Sequence, residues 1–459
     1  MNQKYEKLRC ITEDCNEGRL CILHANNQSK DIAEFSEAID DLIENYGETK
    51  ELILFDRIIF PDQYPIVKTW DYPVLFNDCI FKGEASFDNA YFEKEVEFKN
   101  VTFEKVVYFS NTTFNEDVSF IDPKFKRAAS FDNVNFEKEA TFVRSLFMKE
   151  AFFLEATFGK IARFISNAFQ ADTDFSSAKF MDNACFKDDS FKENASFRSA
   201  KFEGEVIFEN IRFNGMADMA ANFRSKAIFR SFKNDKDDLM FSNSISVSFC
   251  QAVFMEPHLI EFAKVDFSSC DLRKADLRTI DFSLVTWKEC GRYRRRKCLY
   301  RHPDATDEEL EAVYRQIRQS YEDRKNYPEA GDFYYGEMEL KRKKYWWRRY
   351  LPSLTYLYWV CSGYGQSPFK AGFLLVILLF VFTEINLQEG ALPTSSAPPA
   401  LLSNFWNLFW FYTLRTITFA SPYFKPRYLW GEIVTEIFRL MISLQTALFV
   451  LAVNREFKR

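Results

Sequence analysis

The sequence is poor in the residues from which common catalytic and nucleotide-binding sites are built. Its 459 residues include 14 glycines and only three histidines, His24, His258 and His302. No glycine-rich phosphate-binding element of the GxxxxGKS/T or GxGxxG type occurs. We find no nucleophile–base set, no paired carboxylates in a plausible cleft and no open metal site. We therefore expect that the protein is not an enzyme.

The sequence also has no excess of basic residues, and it predicts no secretory signal peptide. The formal net charge is −6, which gives no general reason to expect nucleic acid as a partner. The first residues, MNQKYEKLR, are polar and charged, so the sequence predicts no signal peptide and a cytoplasmic start. In that compartment the ten cysteines are expected to be thiols or metal ligands rather than disulfides.

Phenylalanine, in contrast, is abundant, with 52 residues. Along residues 76–213 it recurs at spacings that alternate between five and six, which gives a period of eleven residues. Neither the 3.6-residue period of a helix nor the two-residue period of a strand fits, and a repeat this regular predicts a solenoid. The ladder residues are Phe76, Phe81, Phe87, Phe92, Phe98, Phe103, Phe109, Phe114, Phe120, Phe125, Phe131, Phe136, Phe142, Phe147, Phe153, Phe158, Phe164, Phe169, Phe175, Phe180, Phe186, Phe191, Phe197, Phe202, Phe208 and Phe213.

The position two residues before each ladder phenylalanine is mostly small or β-branched, with exceptions at Pro123, Asn167 and Asp189. A square coil explains this, because each side then points one large and one small side chain inward. Large residues stack on those of the next coil, roughly 4.8 Å away. We expect every ladder phenylalanine to be a core residue. The pattern lapses across residues 215–238, which predicts an insertion or a kink, and returns up to Trp287.

Residues 265–287, VDFSSCDLRKADLRTIDFSLVTW, run strictly in fives, and CDLRKADLR reads as an A(D/N)Lxx unit. This stretch resembles the pentapeptide-repeat family, and the phenylalanine-rich part resembles its eleven-residue FxxAxF variant. The resemblance covers residues 75–287. It implies a mainly β fold, a right-handed quadrilateral β-helix with roughly ten coils across 76–287, on the order of 50 Å long.

The N-terminal 75 residues are expected to form a metal-binding segment and a cap. Residues 1–29 carry a C-x4-C-x5-C-x2-H pattern, and three thiolates with an imidazole suit a structural, tetrahedral Zn²⁺. The alternative is four unrelated residues in a disordered tail. Residues 30–75 predict a helix ending at Gly47 and an entering strand, which cap the solenoid. The candidate zinc ligands are Cys10, Cys15, Cys21 and His24.

Residues 288–350 form a connector. Its basic start, KECGRYRRRKCLYRH, is either a solvated linker or a patch for an anionic lipid or ligand, and Cys290, Cys298 and His302 are expected to be packing residues or free thiols. Thr306 and Pro328 are placed to begin the two helices of a helical hairpin. Cations and tryptophans at its end are typical of a cytoplasmic membrane interface. They are Lys341, Arg342, Lys343, Lys344, Trp346, Trp347, Arg348 and Arg349.

Residues 351–459 predict a two-span α-helical membrane domain. The apolar runs at 368–387 and 433–453 are long enough to cross a bilayer, and residues 401–419 suggest a re-entrant helix between them. The order of span, re-entrant helix and span resembles the two-helix pore domain of the potassium-channel superfamily. Flanking cations place both termini in the cytoplasm of a bacterium, with the spans in its inner membrane.

SGYG at 362–365 carries the letters of a potassium filter, but it precedes the first span and is interpreted as a coincidental turn. The filter position, TITFASP at 416–422, keeps threonines and lacks the glycines that let carbonyls line the axis, so little K⁺ selectivity is expected. Glu436 and Arg439 either pair with each other or line a pore. The same two alternatives, a paired residue or a pore residue, apply to Gln445. The pore candidates are Thr413, Arg415, Thr416, Thr418, Phe419, Glu436 and Arg439.

Two functions follow from this organisation. The first is an ion-conducting homo-oligomer, preferably a tetramer, in which the cytoplasmic solenoid controls a degenerate pore. The second is a non-conducting, membrane-anchored solenoid scaffold that binds a protein partner on its flat faces. DNA mimicry, which acidic pentapeptide-repeat proteins suggest, is disfavoured by the basic clusters near residues 292 and 341.

Overall fold

The computed structural model divides the chain into two compact units, Met1–Ala305 and Thr306–Arg459. The first, the solenoid unit, is a β-solenoid of about ten turns. The second, the helical unit, contains two helices that are long and apolar enough to cross a membrane. The structure describes residues 22–25, 30–49, 52–62, 69–232, 239–290, 296–343, 354–388, 392–393, 406, 409–410, 424–425 and 429–457.

Short parallel strands of successive turns form four sheets, numbered here in the order in which the chain visits them. Sheet 1 contains Ile53–Asp56, Val74–Asn77, Val96–Lys99, Val118–Ile121, Ala140–Val143, Ala162–Ile165, Ala184–Lys187, Val206–Glu209, Ala227–Arg230, Ile260–Asp266 and Asp281–Thr286. Sheet 2 contains Ile59–Phe60, Ile80–Phe81, Thr102–Phe103, Lys124–Phe125, Leu146–Phe147, Ala168–Phe169, Ser190–Phe191 and Arg212–Phe213.

The other two sheets complete each turn. Sheet 3 contains Ala85–Ser86, Val107–Tyr108, Ala129–Ser130, Ala151–Phe152, Thr173–Asp174, Ala195–Ser196, Met216–Asp218, Ser246–Ser248 and Cys270–Asp271. Sheet 4 contains Thr69–Trp70, Tyr91–Phe92, Thr113–Phe114, Asn135–Phe136, Thr157–Phe158, Lys179–Phe180, Lys201–Phe202, Asn222–Phe223 and Val253–Phe254. Because one turn uses two eleven-residue periods, strand pairing aligns Phe76 with Phe98 and Phe98 with Phe120.

The corners explain why the spacing alternates. A residue with a left-handed backbone, φ between 51° and 59°, follows every second ladder phenylalanine by two positions. Asn, Asp and Ser dominate these positions, which agrees with the tolerance of short polar residues for this conformation. Each five-residue step therefore contains a left-handed corner, and each six-residue step turns without one. The corner residues are Asp78, Asn89, Asn100, Asn111, Asp122, Asn133, Arg144, Glu155, Ser166, Ser177, Asp188, Ser199 and Asn210.

Stacked phenylalanine rings fill the interior, as the sequence predicts. Each ladder residue is 3% exposed or less. Rings one turn apart lie face to face, as in Phe87 and Phe109, whose centroids are 4.7 Å apart with planes at 4°. Neighbouring columns meet edge to face, as in Phe98 and Phe109 at 5.7 Å and 83°. The edge-to-face arrangement is favourable for the aromatic quadrupoles and adds about 0.5–1.5 kcal/mol per pair to simple burial.

The solenoid strands continue through residues 216–232, where the sequence pattern lapses. The buried side chain of Met219 occupies a phenylalanine position. This turn is one residue short, because Phe202 pairs with Phe223 instead of with a residue 22 positions later. Its corner is tightened by a hydrogen bond from the Ala221 amide to the Met219 carbonyl, 2.7 Å long.

Helix α1, Ile32–Thr49, carries Phe35 and Ile39 into the solenoid core, as predicted for a cap. The ring of Phe35 meets that of Phe60 at 5.7 Å and 69°. Ile32, at the start of the helix, is exposed. A 3-10 turn, Pro257–Leu259, precedes the strand Ile260–Asp266. At the other end an antiparallel strand pair, Lys288–Cys290 with Arg296–Cys298, follows the last parallel strand.

The helical unit contains five described helices: α2 Asp307–Asp323, α3 Tyr327–Lys343, α4 Leu354–Ser362, α5 Pro368–Gln388 and α6 Leu429–Phe457. Thr306 caps α2 in a capping box, in which the Glu309 amide donates to its hydroxyl at 3.2 Å and its own amide donates to the Glu309 carboxylate. α2 and α3 form the expected hairpin. Two short antiparallel strands, Leu392–Pro393 and Phe424–Lys425, lie between α5 and α6 in the chain.

α5 and α6 pack antiparallel, since the start of one meets the end of the other. The rings of Phe382 and Phe438 stack with centroids 5.9 Å apart. Near the opposite end, a Cβ on Gly372 would lie 3.1 Å from the Phe449 ring, so glycine allows the helices to approach closely. Phe409, from the segment between the two helices, joins their buried cluster with Leu379 and Ile442.

Candidate functional site

The charged pair predicted inside the second span is formed. Arg439 donates from Nη1 to Oε1 of Glu436 at 2.8 Å, as expected for positions three residues apart on a helix. The side chain of Glu436 is nevertheless 64% exposed and that of Arg439 32% exposed. The remaining pore candidates, Thr413, Arg415, Thr416, Thr418 and Phe419, lie outside the described residues.

The pair lies on a helix surface that is apolar and largely exposed. The apolar stretch of α6 begins at Ile433. At 1.5 Å per residue, Glu436 and Arg439 are about 5 and 9 Å inside it. The exposed apolar side chains of α6 include Ile437, Leu440, Met441, Leu444, Val450 and Leu451.

Gln445, in contrast, points into the helical unit and holds it together. Its Nε2 donates to the carbonyl oxygens of Cys361 and Ala371, both at 2.8 Å. These carbonyls belong to the end of α4 and the first turn of α5, and Gln445 is almost fully buried. Its role is therefore to join three helices rather than to line an exposed surface.

The SGYG sequence forms the turn between α4 and α5. Gly363, Tyr364 and Gly365 all have left-handed backbones, with φ of 57°, 61° and 70°. The Ser362 hydroxyl accepts a hydrogen bond from the Gly365 amide at 2.9 Å. A Cβ on Gly365 would lie 2.8 Å from the Tyr358 hydroxyl oxygen and 3.1 Å from a nitrogen of Arg455. Both glycines are thus needed for a tight, buried turn.

Tyr364 connects this turn to helices on either side. Its hydroxyl donates to Glu339 Oε1 of α3 at 2.9 Å, and its carbonyl oxygen accepts from Arg455 Nη1 of α6 at 3.1 Å. Burial, and secondarily the negative charge of Glu339, raises the pKa of the Tyr364 phenol. The phenol therefore stays protonated and acts as a hydrogen-bond donor at neutral pH.

Two of the interface cations predicted at the end of α3 are paired within the helical unit. Lys341 contacts Glu337 at 2.6 Å, and Arg342 contacts Glu339 at 2.8 Å. Arg342 also lies over the Trp359 ring, 5.1 Å from its centroid. Lys343 ends α3, and Lys344, Trp346, Trp347, Arg348 and Arg349 lie outside the described residues.

Of the candidate zinc ligands, only His24 is described, and Cys10, Cys15 and Cys21 are not. The Nε2 atom of His24 lies 3.0 Å from the carbonyl oxygen of Asp56. A metal-binding histidine commonly donates its second ring nitrogen to such a carbonyl, so this contact fits a ligand that binds through Nδ1. Within the described part of the chain no group of three His, Cys, Asp or Glu side chains could hold a metal ion.

Cys290 and Cys298 lie on the same face of the antiparallel strand pair at diagonal positions. Hydrogen bonding to Cys290, followed by burial, raises the pKa of the Cys298 thiol. His302 faces Asp304 at 3.6 Å. These contacts fit the expectation of thiols rather than metal ligands.

Ser145, Asn167 and Asp189 each lie two residues before a ladder phenylalanine, and together they form a polar column inside the solenoid. The Asn167 amide oxygen accepts from the Ser145 backbone amide at 2.8 Å, and the Asn167 backbone amide donates to Asp189 Oδ1 at 2.7 Å. Asp189 is fully buried, and this burial raises the pKa of its carboxyl to about 8. The sequence marked these residues as exceptions, but it did not indicate that they stack on one another.

Comparison with known proteins agrees with the solenoid geometry. Residues 76–122 match the family model for pentapeptide repeats, in nine copies. This stretch contains the stacked rings and left-handed corners described above. Among curated proteins and among solved structures, the comparison found no match to the chain.

Proposed function

We propose that the protein is an oligomeric ion pore of the bacterial inner membrane, with a cytoplasmic solenoid that controls it. The observation that carries this proposal is the Glu436–Arg439 pair on an apolar helix surface, with the Glu436 side chain 64% exposed. Ionisable residues within membrane spans usually face a bundle interior or a water-filled cavity. The described residues of a single chain offer this pair neither, whereas neighbouring subunits around an axis would offer both.

The exposure of α5 and α6 supports a membrane setting. Only 28% of the most apolar stretch of α5 and 17% of that of α6 is buried within the chain. A soluble protein rarely exposes so continuous an apolar surface. Phe369 and Phe373 of α5, for example, are 92% and 70% exposed. Lipid and neighbouring subunits would cover these faces.

The arrangement of charges supports cytoplasmic termini. Lys370 at the start of α5 and Arg455 at the end of α6 lie at the same end of the antiparallel pair. Lys370 lies 4.7 Å from the Trp359 ring centroid, a combination typical of a membrane interface. The opposite end would face the outside, and Phe409, packed between the spans, fits a re-entrant segment that enters from there.

Further parts of the proposal follow from the sequence. The pore would be a tetramer. Its K⁺ selectivity would be low, because the 416–422 segment lacks filter glycines. The solenoid would coil with a right hand, and its faces would bind a protein partner. A structural Zn²⁺ on Cys10, Cys15, Cys21 and His24 would order the N-terminus, with the His24–Asp56 contact orienting the imidazole.

A second candidate, the non-conducting membrane-anchored scaffold, is favoured by the same ion pair. Glu436 and Arg439 neutralise each other at 2.8 Å, so the pair needs no aqueous pore to compensate its charge. They also lie near one end of the span, where long side chains can reach the interface.

Single-channel recording of the purified oligomer in planar bilayers distinguishes the two functions. We expect discrete currents, a reversal potential that shifts little on K⁺/Na⁺ exchange, and altered conductance in Glu436→Gln and Thr416→Val. Glu150→Gln, an exposed solenoid carboxylate far along the chain from the spans, is the charge-matched control and should conduct as the wild type does. Silence from a folded oligomer across voltage and pH would establish the scaffold instead.

A further inference from the structure

The helical unit contains a cavity of about 130 Å³, where the hairpin, the SGYG turn and the end of α6 meet. This is about ten times the volume that one water molecule needs. Its lining combines apolar surface with several polar side chains. The main contributors are Arg318, Glu322, Tyr327, Tyr334, Gln366 and Arg455.

Two guanidinium groups converge on one ring in this cavity. The central carbon of Arg318 lies 5.6 Å, and that of Arg455 5.4 Å, from the centroid of Tyr334. Each interaction with the ring is favourable by about 0.5–2 kcal/mol. Both arginines also line the same cavity, where an anion would compensate their positive charge.

The two arginines differ in their counter-charges. Arg318 contacts Glu322 at 3.2 Å and Glu337 at 3.1 Å. Arg455 donates to the Tyr364 carbonyl and, within the described residues, contacts no carboxylate. Of the two arginines that line the cavity, Arg455 is therefore the one whose charge no carboxylate among the described residues compensates.

We propose that this cavity binds a phosphate group, held between Arg318 and Arg455. A guanidinium binds phosphate oxygens with two parallel N–H donors, and Gln366 and the tyrosines add neutral polar groups around the anion. The cavity lies at the end of α6 that we assign to the cytoplasmic interface. The phosphate belongs either to a lipid headgroup or to a free anion. The bound group would tie the hairpin to the end of α6, and the site does not depend on ion conduction.

Two parallel measurements on the full-length protein test the site and separate the sources. In neutral detergent, inorganic phosphate is titrated while tryptophan fluorescence and melting temperature are followed. In nanodiscs, melting temperature is compared between phosphatidylcholine alone and phosphatidylcholine with phosphatidylglycerol. We expect Arg455→Gln and Arg318→Gln each to weaken the response at least about tenfold, as for loss of a charge-assisted hydrogen bond.

Arg342→Gln is the matched control, because it removes the same charge from the same end of the helical unit without lining the cavity. Saturable binding of inorganic phosphate that only the cavity variants lose supports the site with a free anion. A response to phosphatidylglycerol alone, lost in the same variants, supports it with a lipid. If Arg455→Gln does not fold, Arg318→Gln alone decides. Absence of both responses, or an equal loss in Arg342→Gln, would overturn the proposal.

Discussion

The Nη1 atom of Arg455 donates a hydrogen bond to the backbone carbonyl of Tyr364, 91 residues earlier in the chain, at 3.1 Å. The carbonyl is accessible to Arg455 because three successive left-handed residues turn the chain there. Through the Tyr364 hydroxyl the same turn reaches Glu339 of the hairpin. The turn therefore joins the end of the second span to the hairpin, in addition to the direct contact between Arg455 and the Tyr334 ring.

The first prediction compares the two glycines of this turn. Gly365→Ala should destabilise the helical unit more than Gly363→Ala does. Both substitutions place a side chain in a left-handed backbone, at about 1–2 kcal/mol each. Only Gly365→Ala also drives a Cβ to within 3.0 Å of another atom. Thermal unfolding in detergent, followed by tryptophan fluorescence, measures the difference. Equal melting temperatures would contradict the close packing described at Gly365.

A second prediction uses two adjacent phenylalanines. Phe153 is fully buried in the ring stack, whereas Phe152 points outward from its strand and is half-buried. Phe153→Ala should cost about 3–5 kcal/mol, because it leaves a cavity between stacked rings. Phe152→Ala should cost less than about 1 kcal/mol. Guanidinium unfolding of both variants tests whether the ladder side chains point inward. A larger loss of unfolding free energy in Phe152→Ala than in Phe153→Ala would refute this.

The third prediction concerns Asp189 and pH. Its carboxyl has a pKa of about 8 when folded, above the ordinary value of 3.8, so the folded solenoid binds this proton more tightly than the unfolded chain. The contribution of Asp189 to stability is therefore highest below pH 4 and declines as the pH rises towards 8. The slope is at most about 1.4 kcal/mol per pH unit.

Unfolding of the wild type, Asp189→Asn and Asp188→Asn across this pH range isolates the effect. Asp189→Asn should remove the decline relative to the wild type, since an amide does not titrate in this range. The neighbouring Asp188 is exposed, and its substitution should keep the decline, ending at a slightly lower pH because the charge of Asp188 helps to raise the pKa of Asp189. Parallel pH profiles for the wild type and Asp189→Asn would show that the buried carboxyl does not titrate as stated.

The fourth prediction tests the zinc segment. We expect one Zn²⁺ per chain by elemental analysis of the protein purified without chelator. Cys15→Ser should lower the metal content strongly, because a hydroxyl is a poor zinc ligand. Cys79→Ser is the control, since this thiol is buried in the solenoid core and should not affect the metal. Zinc-free wild-type protein would refute the site.

The sequence by itself determined the solenoid. The eleven-residue spacing fits a solenoid, because in that fold every phenylalanine reaches the same interior and stacks on its equivalent one turn later. It also located the Thr306 cap, the hairpin and the start of α5 at Pro368, since these depend on local propensity and hydrophobic pattern.

Only the tertiary structure decided which residues meet across long separations. Gln445 reaches two carbonyls more than 70 positions away, and SGYG, read as a coincidental turn, contacts both α3 and α6. The cavity between Arg318 and Arg455 arises from the same distant contacts. A single sequence carries no period or spacing for such pairs, because their separation depends on how helices pack and not on the local chain.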